Sequence, residues 1–307
     1  MKRRRAWAPE PGMVRRLWSL AGLLWLVMCL GLGVAQTLPE PYVIRFSDVP
    51  AAQQAASNGQ VAVTIPPSSE PERPSVPADT WLKHHDWKQV WPLMALSGHV
   101  LSFAGPATQR YLRVATDNSY YIWSHRLELD PQQLPFLELT WGIERFPRQA
   151  ALDLYGHNDR PIVVMVSFGP KLPTPGLLPD VPRALAFFWG ETETVGMSYT
   201  CVTPRNGHEA VRLQCNYPHV KYIALRHGDV GTVHTDRVSL LDLFRQYFPE
   251  YWQEHQHVPP IVGVSFEAGS TKTNSISSAR LYTLVFTAAA PSDGASSLGE
   301  GPARKGP

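Results

Sequence analysis

From Tyr111 to Gly169 four runs rich in β-branched and aromatic residues follow one another, separated by turn-forming breaks. They are YLRVAT (111–116), SYYIWSHRLEL (119–129), FLELTWGIERF (136–146) and IVVMVSFG (162–169). The breaks between them are turn-forming Asp-Asn-Ser, Asp-Pro-Gln-Gln and Gly-His-Asn-Asp. No helical pattern separates these strands, and the segment reads as half of an antiparallel sandwich. The same signature recurs in YVIRFS (42–47), VAVTI (61–65), VLSFAG (100–105), ALAFFWG (184–190), VKYIALRHG (220–228), IVGVSFEAG (261–269) and RLYTLVFTA (280–288). One helical stripe stands out: Leu240, Leu241, Phe244, Tyr247 and Phe248 recur on a single face, with Asp236 or Ser239 as candidate caps and Pro249 as the stop. A βαβ fold would need a helix between most strands. The expected fold class is therefore all-β, a jelly-roll-like antiparallel sandwich with one amphipathic helix.

Residues 1–35 read as a signal peptide. Lys2, Arg3, Arg4, Arg5, Arg15 and Arg16 precede an uncharged, Leu-rich run from Leu17 that closes on Gly33-Val34-Ala35, small residues suited to cleavage. Met13 would make the more ordinary start. An uncleaved membrane anchor is the competing reading, because the run approaches the roughly 20 apolar residues of a spanning helix. Both readings imply export, to the periplasm or beyond, with contact to a membrane only through that segment. Residues 36–79 form an N-terminal extension ending in a proline-rich linker, 80–288 the sandwich domain, and 289–307 a tail too polar to bury a core.

Charge narrows the partner. Of 28 basic and 26 acidic residues, six basic and one acidic lie in 1–35, so the remainder carries 22 against 25, a net of about −3. No Lys/Arg cluster survives outside the signal to neutralise phosphates, and nucleic acid is excluded as a partner. Cys201 and Cys215 flank the turn Pro204-Arg205-Asn206-Gly207, so a disulfide between them is one reading and two buried thiols the other.

Several features together look like a family. Tyr-Leu-Arg-Val (111–114), a charged strand ending Leu-Asp-Pro (129–131), Leu-Glu-Leu-Thr-Trp (137–141), an Asn-Asp turn into IVVMVSF, AFFWG (186–190), YIALRHG, LLDLFRQYF and PIVGVSFEAGST resemble a bacterial exported family, the domain-of-unknown-function family 3047, over roughly residues 80–287. The resemblance implies a galactose-binding-like jelly roll of the kind many carbohydrate-binding domains use, hence binding before catalysis. Where it implies a run of Asp and Asn after the penultimate strand, this chain has Ala268-Gly269-Ser270-Thr271-Lys272-Thr273-Asn274, with only Glu267 acidic. A hard cation such as calcium wants six to eight oxygen ligands, several of them carboxylates, and the departure counts against a site there.

Ten tryptophans suggest sugar stacking, against the general rule that large aromatics sit in cores. Trp141 and Trp189 are the candidates, each near a strand end beside glycine, where two rings would share one cleft. Asp153, His157, Asp159 and Arg160 form a charged turn whose carboxylates and guanidinium suit hydroxyls or a carboxylate. His84-His85-Asp86 and His255-Gln256-His257 lack the i, i+4 spacing of a zinc hydrolase and read as surface histidines. No Gly-x-Ser-x-Gly or glycine-rich phosphate loop occurs, and nothing calls for a cofactor or metal. Glycoside hydrolysis needs only two facing carboxylates, which Asp153, Asp159, Glu191, Glu193 and Glu267 would supply from separate loops. The sequence thus points to an exported binding module for a saccharide or other envelope component, with a glycoside hydrolase or an envelope protein-interaction domain as alternatives.

Overall fold

In FLELTWGIER the apolar side chains alternate, and in the computed structural model Leu137, Leu139, Trp141 and Ile143 of this strand are buried while Phe136, Glu138, Thr140 and Glu144 face outward. The same rule organises the described residues, which are 38–48, 77–90, 99–152, 154, 156–174, 179–199 and 217–288. VAVTI (61–65), the signal segment, the two cysteines and the C-terminal tail lie outside them.

The strands are β1 (Tyr42–Arg45), β2 (Trp87–Val90), β3 (His99–Ala104), β4 (Tyr111–Asp117), β5 (Tyr120–Leu129), β6 (Phe136–Arg145), β7 (Arg160–Leu172), β8 (Val181–Gly190), β9 (Val220–His227), β10 (Val233–Ser239), β11 (Ile261–Gly269) and β12 (Ile276–Thr287). They form two six-stranded sheets. Sheet A runs β10-β6-β12-β4-β3, with β1 paired to the far end of β12. Sheet B runs β2-β5-β11-β7-β8-β9. Each described pairing is antiparallel except β8 with β9. The consecutive strands β4, β5, β6 and β7 alternate between the sheets, so the segment 111–168 contributes to both layers of a jelly-roll sandwich. β1 lies in the segment read as an extension, yet it completes sheet A.

Between the layers one continuous core forms. Leu112, Val114, Leu139, Leu281 and Phe286 of sheet A meet Trp123, Val164, Phe187, Val264 and Phe266 of sheet B. Burying each large side chain contributes about 1.5–3 kcal/mol.

Three α-helices accompany the sheets among the described residues, where periodicity pointed to one. α1 (Ala78–His84) buries only Ala78 and Leu82, too few positions to leave a stripe in the sequence. α2 (Leu240–Tyr247) is the expected helix, and Ser239 caps it by accepting from the Asp242 N–H at 3.3 Å. Asp236, the other candidate cap, is engaged elsewhere. Pro249 does end α2, but it also opens α3 (Pro249–His255), because proline fits the first turn of a helix. Phe244 of α2 packs on Phe168 of β7 at 5.1 Å between ring centres and closes that end of the core.

The outer face of sheet B is apolar at one side. Val163, Ala184, Ala186, Phe188, Val220 and Ala224 form a second cluster under Leu152 and Tyr199. Residues 196–199 run along β9, with Tyr199 N–H donating to Tyr222 O at 2.8 Å and Gly196 N–H to Ala224 O at 2.8 Å. They cover part of an edge strand that would otherwise offer unpaired backbone.

Candidate functional site

Strand alternation that turns Val264, Phe266 and Ala268 of β11 into the core turns Gly263, Ser265 and Glu267 outward. Register then builds rows across the outer face of sheet B. Gly263 lies between Arg126 and Ser167, Ser265 between Ser124 and Met165, and Glu267 between Ile122 and Val163. Lys88 of β2 extends the middle row beside Ser124, and Ala186 of β8 extends it beside Met165. Glycine, serine and alanine predominate in the middle of the face, with Met165 among them, while longer chains stand at its sides. A groove results, with a volume of about 660 Å³, in the range of small-molecule sites. Its walls include Tyr120, Tyr217 and Tyr222, and Lys171, Pro179 and Asp180 form part of its rim.

One end of the groove holds a buried ion pair. Glu267 is 1% exposed. Arg160 Nε donates to Glu267 Oε1 at 2.6 Å and its Nη2 donates to the same oxygen; Tyr120 Oη donates to Oε2 at 3.0 Å. Arg160 Nη1 reaches Asn158 O at 3.0 Å, Nη2 also reaches Tyr222 Oη at 3.3 Å, and the guanidinium carbon stands 4.7 Å over the Tyr222 ring. Gly269 makes room for this arrangement, since a Cβ there would meet Tyr120 Cδ2 at 2.9 Å.

The electrostatics keep these groups in fixed states. Burial, reinforced by the Glu267 charge and opposed by Arg160, holds the Tyr120 hydroxyl well above the ordinary tyrosine range. Tyr222 is raised for the same reasons in the same order. For Arg160 burial works against the charge, but Glu267, Tyr222 and Tyr120 outweigh it and the guanidinium is held above its usual value. Both oxygens of Glu267 are occupied as acceptors, and the other acids lining the groove, Asp86 and Asp180, are exposed at its rim.

The residues singled out in the sequence fall in four places. Trp141 and Trp189 do neighbour each other, 5.7 Å between ring centres, but both are 0% exposed in the core between the sheets. Trp141 Nε1 donates to Asp236 Oδ2 at 2.7 Å and Trp189 Nε1 to Gly228 O at 2.7 Å, so their polar edges are satisfied internally. The expectation that they form an open cleft is corrected: inward alternation on β6 and β8 puts them inside. Asp159 is buried and accepts from Thr273 N at 2.6 Å and Thr273 Oγ1 at 2.8 Å, stitching the 157–160 turn to the segment after β11. His157 sits outside the groove, its Nδ1 2.9 Å from Gln149 O. Of the described residues of that turn only Arg160 reaches a groove-lining side chain, through its pair with Glu267, and Asp153 lies outside the described residues.

Glu191 and Glu193, the remaining described carboxylates considered for hydrolysis, lie apart from the groove. Glu193 accepts from Leu152 N at 2.8 Å and Thr192 N at 3.1 Å, and exposed Glu191 has its carboxyl raised by partial burial and then by the Glu193 charge. Neither lines the groove. His85 stacks on Trp81 at 3.9 Å, and His255 and His257 pack about Tyr251 at 4.2 and 6.0 Å. Among the described residues no group of three or more His, Cys, Asp and Glu converges as a metal site, and no helix is long and apolar enough to cross a membrane.

The groove-lining Tyr120, Ser124, Arg126, Gly263 and Ser265 were not singled out. Their signal was present as the second face of two alternating strands, β5 and β11, both of whose other faces are apolar.

The fold and this groove define an all-β jelly-roll sandwich with a concavity on the outer face of one sheet. The chain belongs to the family described as protein of unknown function (DUF3047), whose sequence profile it matches over residues 102–284, more than half its length. No curated protein matches it. Among solved structures it is similar to the family GH12 endoglucanase 3 of Trichoderma harzianum, at 11% identity over 65% of this chain and 89% of that one with a TM-score of 0.33. It is similar too to the xyloglucanase domain of NopAA from Sinorhizobium fredii, solved with cellobiose, at 10% identity over 66% and 99% with a TM-score of 0.33. A family 11 xylanase from Neocallimastix patriciarum matches at 9% identity over 81% and 100% with a TM-score of 0.27. At TM-scores this low no activity is transferred to this chain.

Proposed function

We propose that the protein is an exported, non-catalytic binding module that holds a saccharide of the cell envelope in the groove of sheet B. The observation that carries the reading is the groove's composition. Tyrosine rings in its walls offer stacking faces, and Ser124, Ser167 and Ser265 offer hydroxyls with no protein partner among the described residues. A saccharide presents the matching pair of features, apolar ring faces and a rim of hydroxyls. Binding is preferred to hydrolysis because Glu267 is fully engaged. The two carboxyl groups of a glycosidase stand about 5–9.5 Å apart across the bond they cleave, and Asp86 and Asp180 are rim residues without a buried partner acid. The basic stretch and Leu-rich run of residues 1–35 support the exported location.

A glycan-array screen of the full chain tests the reading, with Tyr222→Ala and Tyr217→Ala as wall variants. Binding of at least one glycan class is expected, weakened about tenfold in either variant by loss of a stacking face. Absence of binding across the array would remove the proposal in favour of a protein-interaction domain. Release of new reducing ends from a bound glycan would replace it with the hydrolase.

A further inference from the structure

Arginines elsewhere in the described sandwich are mostly paired: Arg110 with Asp48, Arg113 and Arg280 with Glu144, Arg226 with Asp236, Arg237 with Glu138. The groove departs from this habit. Lys88 on β2, Arg126 on β5 and Lys171 at the end of β7 line it, all three are exposed, and none is in an ion pair among the described residues. Arg160 and Glu267 cancel each other. Against the three free cations stand Asp180, whose Oδ1 accepts from Thr174 N at 3.2 Å, and Asp86, which the Trp87–His125 register places across from Arg126. The groove therefore has a cationic excess, on a chain that is net acidic once residues 1–35 are set aside.

Resting on the saccharide reading above, we infer that the groove's ligand is an acidic saccharide, a chain of uronate residues whose carboxylates meet Lys88, Arg126 and Lys171. Guanidinium and ammonium groups pair with carboxylates by charge-assisted hydrogen bonds, while the serine floor takes hydroxyls as it would from a neutral sugar. The cations are spread, which bears on ligand length. β2 and β7 are three strand steps apart through β5 and β11, roughly 14 Å at the usual strand spacing. A single sugar acid does not span that distance, whereas an oligomer presents several carboxylates along it. The rim cations are solvated, so their contribution is screened by salt.

The test is calorimetric titration of the full chain with short oligogalacturonates, with the same oligomers as methyl esters, and with neutral cello- and xylo-oligosaccharides. The ester keeps ring faces and hydroxyls but has no charge. The acid form is expected to bind about tenfold tighter than the ester at low salt, with the gap narrowing as salt rises. In the double variant Lys88→Gln/Arg126→Gln the ratio of acid to ester affinity is expected to shrink toward one. Arg113→Gln, on the outer face of sheet A, serves as control and leaves both unchanged. Equal binding of acid and ester, or a preference for neutral oligomers, overturns the inference and leaves the saccharide reading intact. A full advantage persisting in the double variant overturns the assignment to these cations, and failure of acid, ester and neutral oligomers alike removes both readings.

Discussion

The Arg160–Glu267 pair sits where a carboxylate in a groove invites a catalytic interpretation, and its energetics can be tested without any ligand. Removing one partner of a buried ion pair leaves the other charged and desolvated, which costs about 3–5 kcal/mol. Arg160→Leu is therefore expected to lower the unfolding free energy by about that amount in urea denaturation, and Glu267→Gln, which keeps one acceptor oxygen for Arg160 but sets an NH2 group against Tyr120 Oη, by less. Equal, small losses in both would mean the pair is not held as described. A second consequence concerns alkaline pH. Tyr111 is pushed up to about 12, first by burial and then by the Glu144 charge, and burial raises Tyr120, Tyr121 and Tyr222 as well. An unfolded tyrosine ionises near 10 while these keep their protons, so the unfolded chain binds fewer protons and stability is lost as pH rises. The loss begins near pH 10 and grows toward the raised folded values, and denaturation midpoints measured through that interval should fall steadily. The opposite holds for Glu144. Arg113 and Arg280 outweigh burial and hold its carboxyl below the usual range, so its contribution is present at neutral pH and disappears in acid. At this scale the sequence misled most about Trp141 and Trp189. Adjacent glycines suggested strand ends, which holds for Trp189 in β8 but not for Trp141 in the middle of β6, and which side of a strand faces the core is decided by the whole row of cross-strand neighbours.

At the scale of elements, most strands were legible because their apolar residues alternate or run continuously. β2 and β10 were not. WKQV and VHTDRVS carry too few apolar residues to stand out, and they form because β5 and β6 offer edges to pair with. α1 is too short to show a period, and α3 was hidden by reading Pro249 as an end alone. The helix that was legible, α2, makes a clean test. Ser239→Ala removes its cap and is expected to cost about 1 kcal/mol. Phe244→Ala empties a buried position against Phe168 and Phe248 and is expected to cost about 3–5 kcal/mol. Thermal or urea unfolding that ranked the two in the reverse order would show that α2 is not an integral part of the core.

For the whole molecule, sheet B has an inner face given to packing and an outer face partly open to solvent. Sheet A differs: its outer face is filled by ion pairs such as Arg113–Glu144–Arg280 and by the Thr140–Thr235 hydroxyl contact at 2.9 Å. Long polar chains level that side, and short residues hollow the other. The groove was invisible in the one-dimensional sequence because its floor is assembled from single residues of β5, β7, β8 and β11, and only register brings Ser124, Ser167, Ala184 and Ser265 together. Filling that floor is the most direct test of the central claim that this face is a binding site. Ser265→Tyr places a ring in the groove while leaving the inward residues Val264 and Phe266 untouched, and the measurement is calorimetric titration of the variant with the saccharide that the unmodified chain binds best. Binding is predicted to fall below detection with the thermal midpoint nearly unchanged; full affinity in a folded Ser265→Tyr protein would contradict the assignment of the groove.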